Sequence, residues 1–449
     1  MTDSFGLSGD AKAALLARLA NRRPVAAAEP VPEPKPPLGR PEVAQEIAMI
    51  RRAGEALGIA NPFFRAHDGI AGATTVIGGK TYDNFVSYNY LGLNGDPRVA
   101  EAAKEAIDLY GTSVSASRIV SGERPIHHEL EMALAAVYQA EDAIAMVSGH
   151  ATNVTVIGHL VGRDDLILHD SLSHNSIVQG ALASGAKRIA FPHNDMDELD
   201  RMLGAARAQV SRALIVVEGH YSMDGDIPDL ARLVEIARRH RAHLMVDEAH
   251  SLGVLGARGH GIAEHAGVDP REVDVWMGTL SKTLSGCGGY IAGSAELIDY
   301  LRHSAPGFVY SVGLPPPVTA AALKCLEIMH AEPERVAKLQ ANGRVFLDAC
   351  RTHGLDTGGS IGSAIVPMMT GSSIVAARAA DALLERGINV QPIIYPAVPE
   401  QAARLRFFLS EAHTHAQLVR VASICAEVLT YLGEQSIDLA ALAGRIKAQ

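Results

Sequence analysis

AHLMVDEAH (242–250) is an apolar run of strand length that stops on an acid, Asp247, with a histidine, His250, three residues later. A short apolar segment ending abruptly in polar residues reads as a strand covered on both faces, its carboxyl end open to a ligand. The same pattern surrounds it in AIAMVSG (143–149), DLILHD (165–170), KRIAFPH (187–193), ALIVVEG (213–219) and DVWMGTLSK (274–282). Helix-like stretches separate these runs. In LARLVEIARRH (230–240), for example, Leu230, Leu233, Val234 and Ala237 fall on one face. The alternation predicts an α/β fold with a mostly parallel sheet covered by helices. After about residue 300 the pattern changes, and VYSVGLPPP (309–317) breaks the chain before a long helical stretch. A smaller α+β domain is expected there.

The 449 residues, 48% hydrophobic and 20% charged, have globular composition and enough length to build a core without disulfides or a structural metal. A net charge of -10 disfavours nucleic acid and anionic membranes as partners. Cys287, Cys325, Cys350 and Cys425 form no CxxC pair, which suggests a reducing compartment and no metal site. No stretch of 18 uninterrupted apolar residues occurs, and MTDSFGLSGD (1–10) lacks a signal-peptide pattern. The expectation is a cytoplasmic protein without an integral membrane segment.

Seven prolines between Pro24 and Pro41 mark a linker. Before it, Ser8 is placed to cap a short helix through Ala11, Leu15 and Leu19, with Arg18, Arg22 and Arg23 towards its end. Residues 1–41 hold six Lys or Arg and four Asp or Glu, a charge of +2, which leaves -12 on the rest. The expected organisation is a helical appendage (1–23), the linker (24–41), an arm (42–95), a large cofactor-binding domain (96–300) and a small C-terminal domain (301–449).

Two motifs point the wrong way. DEAH (247–250) and GKT (79–81) together suggest an NTPase, but Thr74 stands where a P-loop needs its first glycine, and the segment leads into a strand-like run. GVLGARGHG (253–261) does not fit GxGxxG. The better constellation is Asp247, His250 and Lys282, an acid and a histidine at one strand end and a lysine at the end of a later one. A pyridoxal phosphate enzyme needs a lysine for the Schiff base and a carboxylate to keep the pyridine nitrogen protonated. A histidine just off the strand end reaches the ring's phenolic oxygen.

With SYNYLGL (87–93), GTSVSASRIVSG (111–122), HELE (128–131), SGHATN (148–153), SLSHNS (171–176), EGHYSMDGD (218–226), VDEAHSLGVLG (246–256), GTLSKTLSGCGGY (278–290), YSVGLPPP (310–317) and ARLRFFLSEAHT (403–414), the chain resembles the α-oxoamine synthases. These are fold-type I pyridoxal phosphate enzymes that include serine palmitoyltransferase, 8-amino-7-oxononanoate synthase and 5-aminolevulinate synthase. The resemblance covers residue 45 to the end.

The resemblance implies that Lys282 holds the cofactor and takes the substrate α-proton, that Asp247 faces the pyridinium and His250 the phenolic oxygen, and that His174 stacks on the ring. Gly149 and His150, with Thr279 and Ser281, would receive the phosphate, and Ser222 would lie near the phenolic oxygen. Ser311 matches a segment that serves the phosphate site of a second subunit, although Val312 and Gly313 replace the usual hydroxyls. Arg406 matches the arginine that binds the substrate carboxylate, with Arg404 as its rival. Ile394 replaces an arginine of the 8-amino-7-oxononanoate synthases, and Ile119 replaces an asparagine of the 5-aminolevulinate synthases.

The implied reaction condenses serine, alanine or glycine with an acyl thioester, releasing carbon dioxide and thiol to leave an α-amino ketone. Serine with a long-chain acyl group is the favoured pair. The implied assembly is a homodimer, and the appendage suggests acyl carrier protein as acyl donor. Activity of the 8-amino-7-oxononanoate synthase or 5-aminolevulinate synthase type, an aminotransferase and a catalytically silent partner subunit are the alternatives, although Lys282 argues against the last.

Overall fold

The computed structural model describes residues 9–20 and 38–435. Ser8, Arg22, Arg23 and the prolines from Pro24 to Pro37 lie outside them. The described residues divide into two compact units, one within residues 1–58 and the other within residues 59–438. In the first, α1 (Gly9–Ala20) leaves Leu15 and Leu16 exposed, and α2 (Pro41–Leu57) exposes Val43, Ile47 and Met49. Pro41, read as the last linker residue, starts α2, where its fixed φ suits the first helical position.

The second unit opens with a hairpin of β1 (Thr74–Ile77) and β2 (Lys80–Asn84), turned by Gly78 and Gly79 with positive φ. The lysine of the apparent GKT motif is thus the first residue of a strand, not the start of a helix. Next come α3 (Pro97–Tyr110) and α4 (Pro125–Val137), then alternating elements: β3 (Asp142–Met146), α5 (Gly149–Leu160), β4 (Leu166–Asp170), α6 (Asn175–Ser184), β5 (Lys187–Phe191), α7 (Met196–Ala206), β6 (Ala213–Glu218), α8 (Leu230–His240), β7 (His243–Asp247), β8 (Val275–Thr279) and β9 (Gly289–Gly293).

These seven strands form one sheet in the order β3-β9-β8-β7-β6-β4-β5. The pairs from β8 through β5 are parallel, whereas β9 runs antiparallel to both β8 and β3. The sheet is mostly parallel, as expected. The strand reading did not include β9, because GYIAG has three Gly or Ala among five residues and little apolar signal.

Alternate residues serve two core layers, which is why the central runs are apolar, whereas β5, expected to be buried, is an edge strand that exposes Lys187, Arg188 and Ala190. On β7, Leu244 and Val246 join one cluster and Met245 the other, and on β6 Leu214 and Val216 face away from Ile215 and Val217. Two three-stranded sheets accompany the main one. The first joins β1, β2 and β11 (Ile388–Asn389); the second joins β10 (Ile365–Met369), β13 (Arg404–Phe408) and β12 (Gln391–Ile393), all antiparallel. The helix His415–Glu434 is long and apolar enough to cross a membrane by length and composition, but Leu418, Val421, Ala422, Cys425, Val428 and Leu432 are buried in the fold.

A charged clamp pins the loop after β6 to the sheet. His193 Nδ1 donates to Asp170 Oδ1 at 2.9 Å and Nε2 to Asp226 Oδ2 at 2.7 Å. Burial opposes this charge, but the two carboxylates outweigh it and push the imidazolium pKa up to about 10. A folded-state pKa above the unfolded value near 6.5 gives stability that is fully present below that value and lost as pH rises towards 10. His193→Ala should therefore cost about 3 kcal/mol at pH 7, since it strands two carboxylates. Urea midpoints should fall between pH 6.5 and 10 in the parent and stay flatter in the variant; equal slopes would overturn this.

Candidate active site

The strand ends β6 and β7 carry adjacent acids, Glu218 and Asp247, which are register partners in the parallel ladder. Asp247 is 5% exposed and accepts from Asn153 Nδ2 at 2.7 Å and from the Ala249 N–H at 2.9 Å. Asn153 lies one turn into α5, on the face turned to the sheet, and also donates to Ser176 Oγ at 3.0 Å. Its Oδ1 is buried without a partner among the described residues. Asp247 is thus a carboxylate held in place by two donors, with a direction of approach set by the fold.

Lys282 follows β8 by three residues, and its Nζ sits 5.7 Å from the centre of the Tyr88 ring. Burial lowers its pKa to about 8, against the pull of Asp247 and Glu218 and with the help of Arg406. Near neutrality this amine is far closer to its nucleophilic form than a solvated lysine. It lines a cavity of about 350 Å³ together with His67, Tyr88, Asn89, Ser281 and Ser285.

An anion cradle lies beside it. The first amides of α5, Gly149 and His150, have no partner within the helix, and the dipole favours negative charge there. A Cβ on Gly149 would stand 2.7 Å from Thr279 Oγ1, so only glycine lets the helix end approach this hydroxyl. Thr279 Oγ1 donates to the Gly288 carbonyl at 2.9 Å and lies 3.1 Å from Ser281 Oγ.

The two histidines are held by different neighbours. His174 precedes α6; its N–H donates to Glu218 Oε1 at 2.6 Å and its Nδ1 meets Ser176 Oγ at 2.7 Å. Burial lowers its pKa, and its ring stands edge to face with His150 at 6.2 Å. His250 Nδ1 is 2.7 Å from Tyr90 Oη, and its carbonyl accepts from His220 Nδ1 at 3.1 Å. Burial, reinforced by the charge of Lys282, keeps His250 neutral well below its usual pKa.

The two arginines of β13 part company. Arg404 is 5% exposed and spends its fork on Asp224 Oδ1 at 2.6 Å and the Met223 carbonyl at 2.9 Å. Arg406 donates to the Ser222 carbonyl at 3.2 Å and lies over the Phe408 ring at 4.6 Å, but pairs with no carboxylate among the described residues. Its Nε is buried without a partner among the described residues, and burial pulls its pKa down. This places an unsatisfied cation at the Ser222 loop, ready for a carboxylate. Arg406→Lys should raise KM for the amino acid about 30-fold or more. Arg404→Lys should chiefly lower the melting temperature, and the reverse pattern would exchange the two roles.

Ser311 does not join this cluster within one chain. It lies in a surface recess with Ser117, Ile119, Val120, Tyr310 and Val312, and its N–H donates to the Phe308 carbonyl at 3.2 Å. Ser222 and Arg406 meet, and Asp247, Lys282, His174 and Glu218 feel one another's charge. Sequence reasoning assigned no role to Asn153, Tyr90, Glu218 or His220. All four fall inside quoted motifs, so the signal was present, but their partners lie between 30 and 160 residues away.

Pyridoxal phosphate fits these groups. The helix end with Thr279 and Ser281 suits its phosphate, the buried Asp247 suits its ring cation, and the Lys282 amine suits its aldehyde. The orphaned Asn153 Oδ1 and Arg406 Nε show that the cluster retains unmet polar capacity.

Residues 81–424 match the aminotransferase class I and II family. The 8-amino-7-oxononanoate synthase of Symbiobacterium thermophilum is 42% identical over 359 residues, covering 80% of this chain and 91% of the relative. Among solved structures, serine palmitoyltransferase of Sphingomonas wittichii superposes with a TM-score of 0.82 at 31% identity, over 88% of this chain and 97% of that one. The 8-amino-7-oxononanoate synthase of Francisella tularensis superposes with a TM-score of 0.68 at 27% identity, over 78% and 98%.

Proposed function

Because this chain belongs to the α-oxoamine synthases, pyridoxal phosphate acyltransferases of the class I and II aminotransferase family, we propose that it condenses serine with a long-chain acyl thioester. The amino acid carbon bonds to the acyl carbon; carbon dioxide and the thiol leave, and an α-amino ketone remains. The observation that carries a condensation on an amino acid is Arg406, an unpaired guanidinium beside the lysine and carboxylate that a bound amino acid needs. Serine is supported by the higher TM-score to serine palmitoyltransferase and by Ile394, which replaces an arginine of the 8-amino-7-oxononanoate synthases. The 42% identity to one of those synthases favours their activity as a second reading.

Pyridoxal phosphate, when bound, supplies the electron sink that lets the amino acid lose its α-proton and its carboxyl group. Lys282 Nζ would hold the cofactor through its aldehyde, and its buried amine, with a pKa lowered to about 8, would be the base for the α-proton. Asp247, oriented by Asn153 and Ala249, would pair with the ring cation. Arg406 would hold the substrate carboxylate, and His250, fixed by Tyr90, would meet the phenolic oxygen together with Ser222. His174 would cover the ring, while Gly149, His150, Thr279 and Ser281 would receive the phosphate.

The exposed Ile119, Val120, Tyr310 and Val312 around Ser311 support a homodimer in which this recess meets a second copy. A reducing cytoplasm suits the four free cysteines. The exposed Leu15 and Leu16 on α1 support the appendage as the part that meets acyl carrier protein.

The test is a product screen by mass spectrometry. Purified holoenzyme, with and without residues 1–41, receives serine, alanine or glycine with acyl thioesters of several lengths, each on CoA and on carrier protein. The expected result is greatest free-thiol release with serine and a long chain, and loss of the carrier advantage on truncation. Preference for alanine moves the assignment to the second reading, and a keto acid without free thiol makes the protein an aminotransferase. Equal rates with all donors and both lengths of chain remove the carrier role.

A further inference from the structure

Glu218 is a buried acid that the chemistry above does not use. It ends β6, 4% exposed, as the register partner of Asp247. The two acids are satisfied differently: Asp247 has a side-chain amide and a backbone N–H, whereas Glu218 accepts the His174 N–H at 2.6 Å. Burial and the neighbouring Asp247 charge push Glu218 up to about 8, so at neutrality it holds a proton. For stability alone this is a poor choice, because a buried carboxyl beside a second one is more costly than an amide or an apolar side chain.

The bond to His174 gives the position a purpose. His174 caps α6, and its ring is tied to that helix by the Ser176 hydroxyl and N–H. Those ties turn with α6. The Glu218 contact instead joins the His174 backbone to the sheet that carries Asp247, and so sets the ring against the strand ends. We propose that Glu218 is a positioning residue for the reaction, fixing His174 to the edge of the sheet from which Asp247 projects. This rests on the reading that His174 covers the cofactor ring.

The experiment compares holoenzymes carrying Glu218→Gln, Glu218→Ala, His174→Ala and the Glu218→Ala/His174→Ala pair, by visible circular dichroism of the bound cofactor and by turnover. Glu218→Gln keeps an uncharged carbonyl acceptor, so its dichroic band and turnover should stay within about threefold of the parent. Glu218→Ala should move the band towards that of His174→Ala and lower kcat about tenfold or more with KM for the amino acid little changed. In the His174→Ala background it should add less than about twofold. If Glu218→Ala fails to fold, Glu218→Asp withdraws the acceptor by one methylene and should change band and kcat in the same direction.

Additive losses in the double variant, or Glu218→Gln as impaired as Glu218→Ala, would overturn the proposal. An altered band in His174→Ala with a parental band in Glu218→Ala sinks the proposal alone. A parental band in His174→Ala sinks the placement of His174 as well. The dichroic arm needs no substrate, so an error in the amino acid or thioester leaves it intact.

Discussion

Lys282→Ala should abolish both the borohydride-fixed cofactor adduct and amino ketone formation, with turnover down by about 10⁴-fold. Both losses have one cause. In the proposed reaction the Nζ amine is both the nucleophile towards the cofactor aldehyde and the base for the α-proton, and burial holds its pKa to about 8 so that it would serve near neutrality. Deprotonation favours both tasks, so adduct formation on cofactor-stripped parent should rise with pH and level off above about 8. Lys282→Arg keeps a cation but no such amine, and should be as inactive as the alanine variant. Parental melting of the stripped variants would separate lost chemistry from lost fold. A borohydride-stable adduct that persists in Lys282→Ala would remove this lysine from the mechanism.

Asp247→Asn should lower kcat/KM by about 10³-fold. The amide has nearly the shape of the carboxylate, so the fold and the anion cradle remain, but the carboxylate that the proposed mechanism sets against the cofactor's ring cation would be gone. One such charge pair at about 4 Å, at an effective dielectric near 20, is worth about 4 kcal/mol, which corresponds to about 10³-fold in rate. Asn153→Ala should cost less, about tenfold, because it frees the Asp247 side chain without discharging it. The check is steady-state kinetics alongside the visible spectrum of bound cofactor. An Asp247→Asn enzyme within threefold of the parent would mean that the ring nitrogen is served by another group.

Most of the main sheet could be read from residue order because its strands are buried on both faces. ALIVVEG and AHLMVDEAH announce themselves as unbroken apolar runs that end on charge, and the structure ends β6 and β7 on Glu218 and Asp247. The strand β9 escaped for the opposite reason. Its Gly289, Ala292 and Gly293 have little side chain to pattern, and its place between β3 and β8 is set by neighbours more than 100 residues away on one side.

The candidate site was legible as types and order: lysine, aspartate, two histidines, a glycine before a helix and two arginines. What distinguishes Arg404 from Arg406 was not. The two are adjacent in pattern and identical in chemistry, and it is the Asp224 carboxylate, on a loop 180 residues away, that pairs with Arg404, while Arg406 has no carboxylate partner among the described residues. The tasks of Tyr90 and Asn153 were hidden in the same way, since each acts by directing a group on a distant strand end.

By itself the sequence determined the α/β class, the alternation that builds the sheet, and the side chains offered at its carboxyl edge, because periodicity and residue chemistry are local properties. The tertiary structure alone decided which offered groups remain unpaired, which are neutralised by burial, and which are tied to one another. Hydrogen bonding, desolvation and charge pairing depend on distance in space, and residues far apart in the chain meet only in the folded protein.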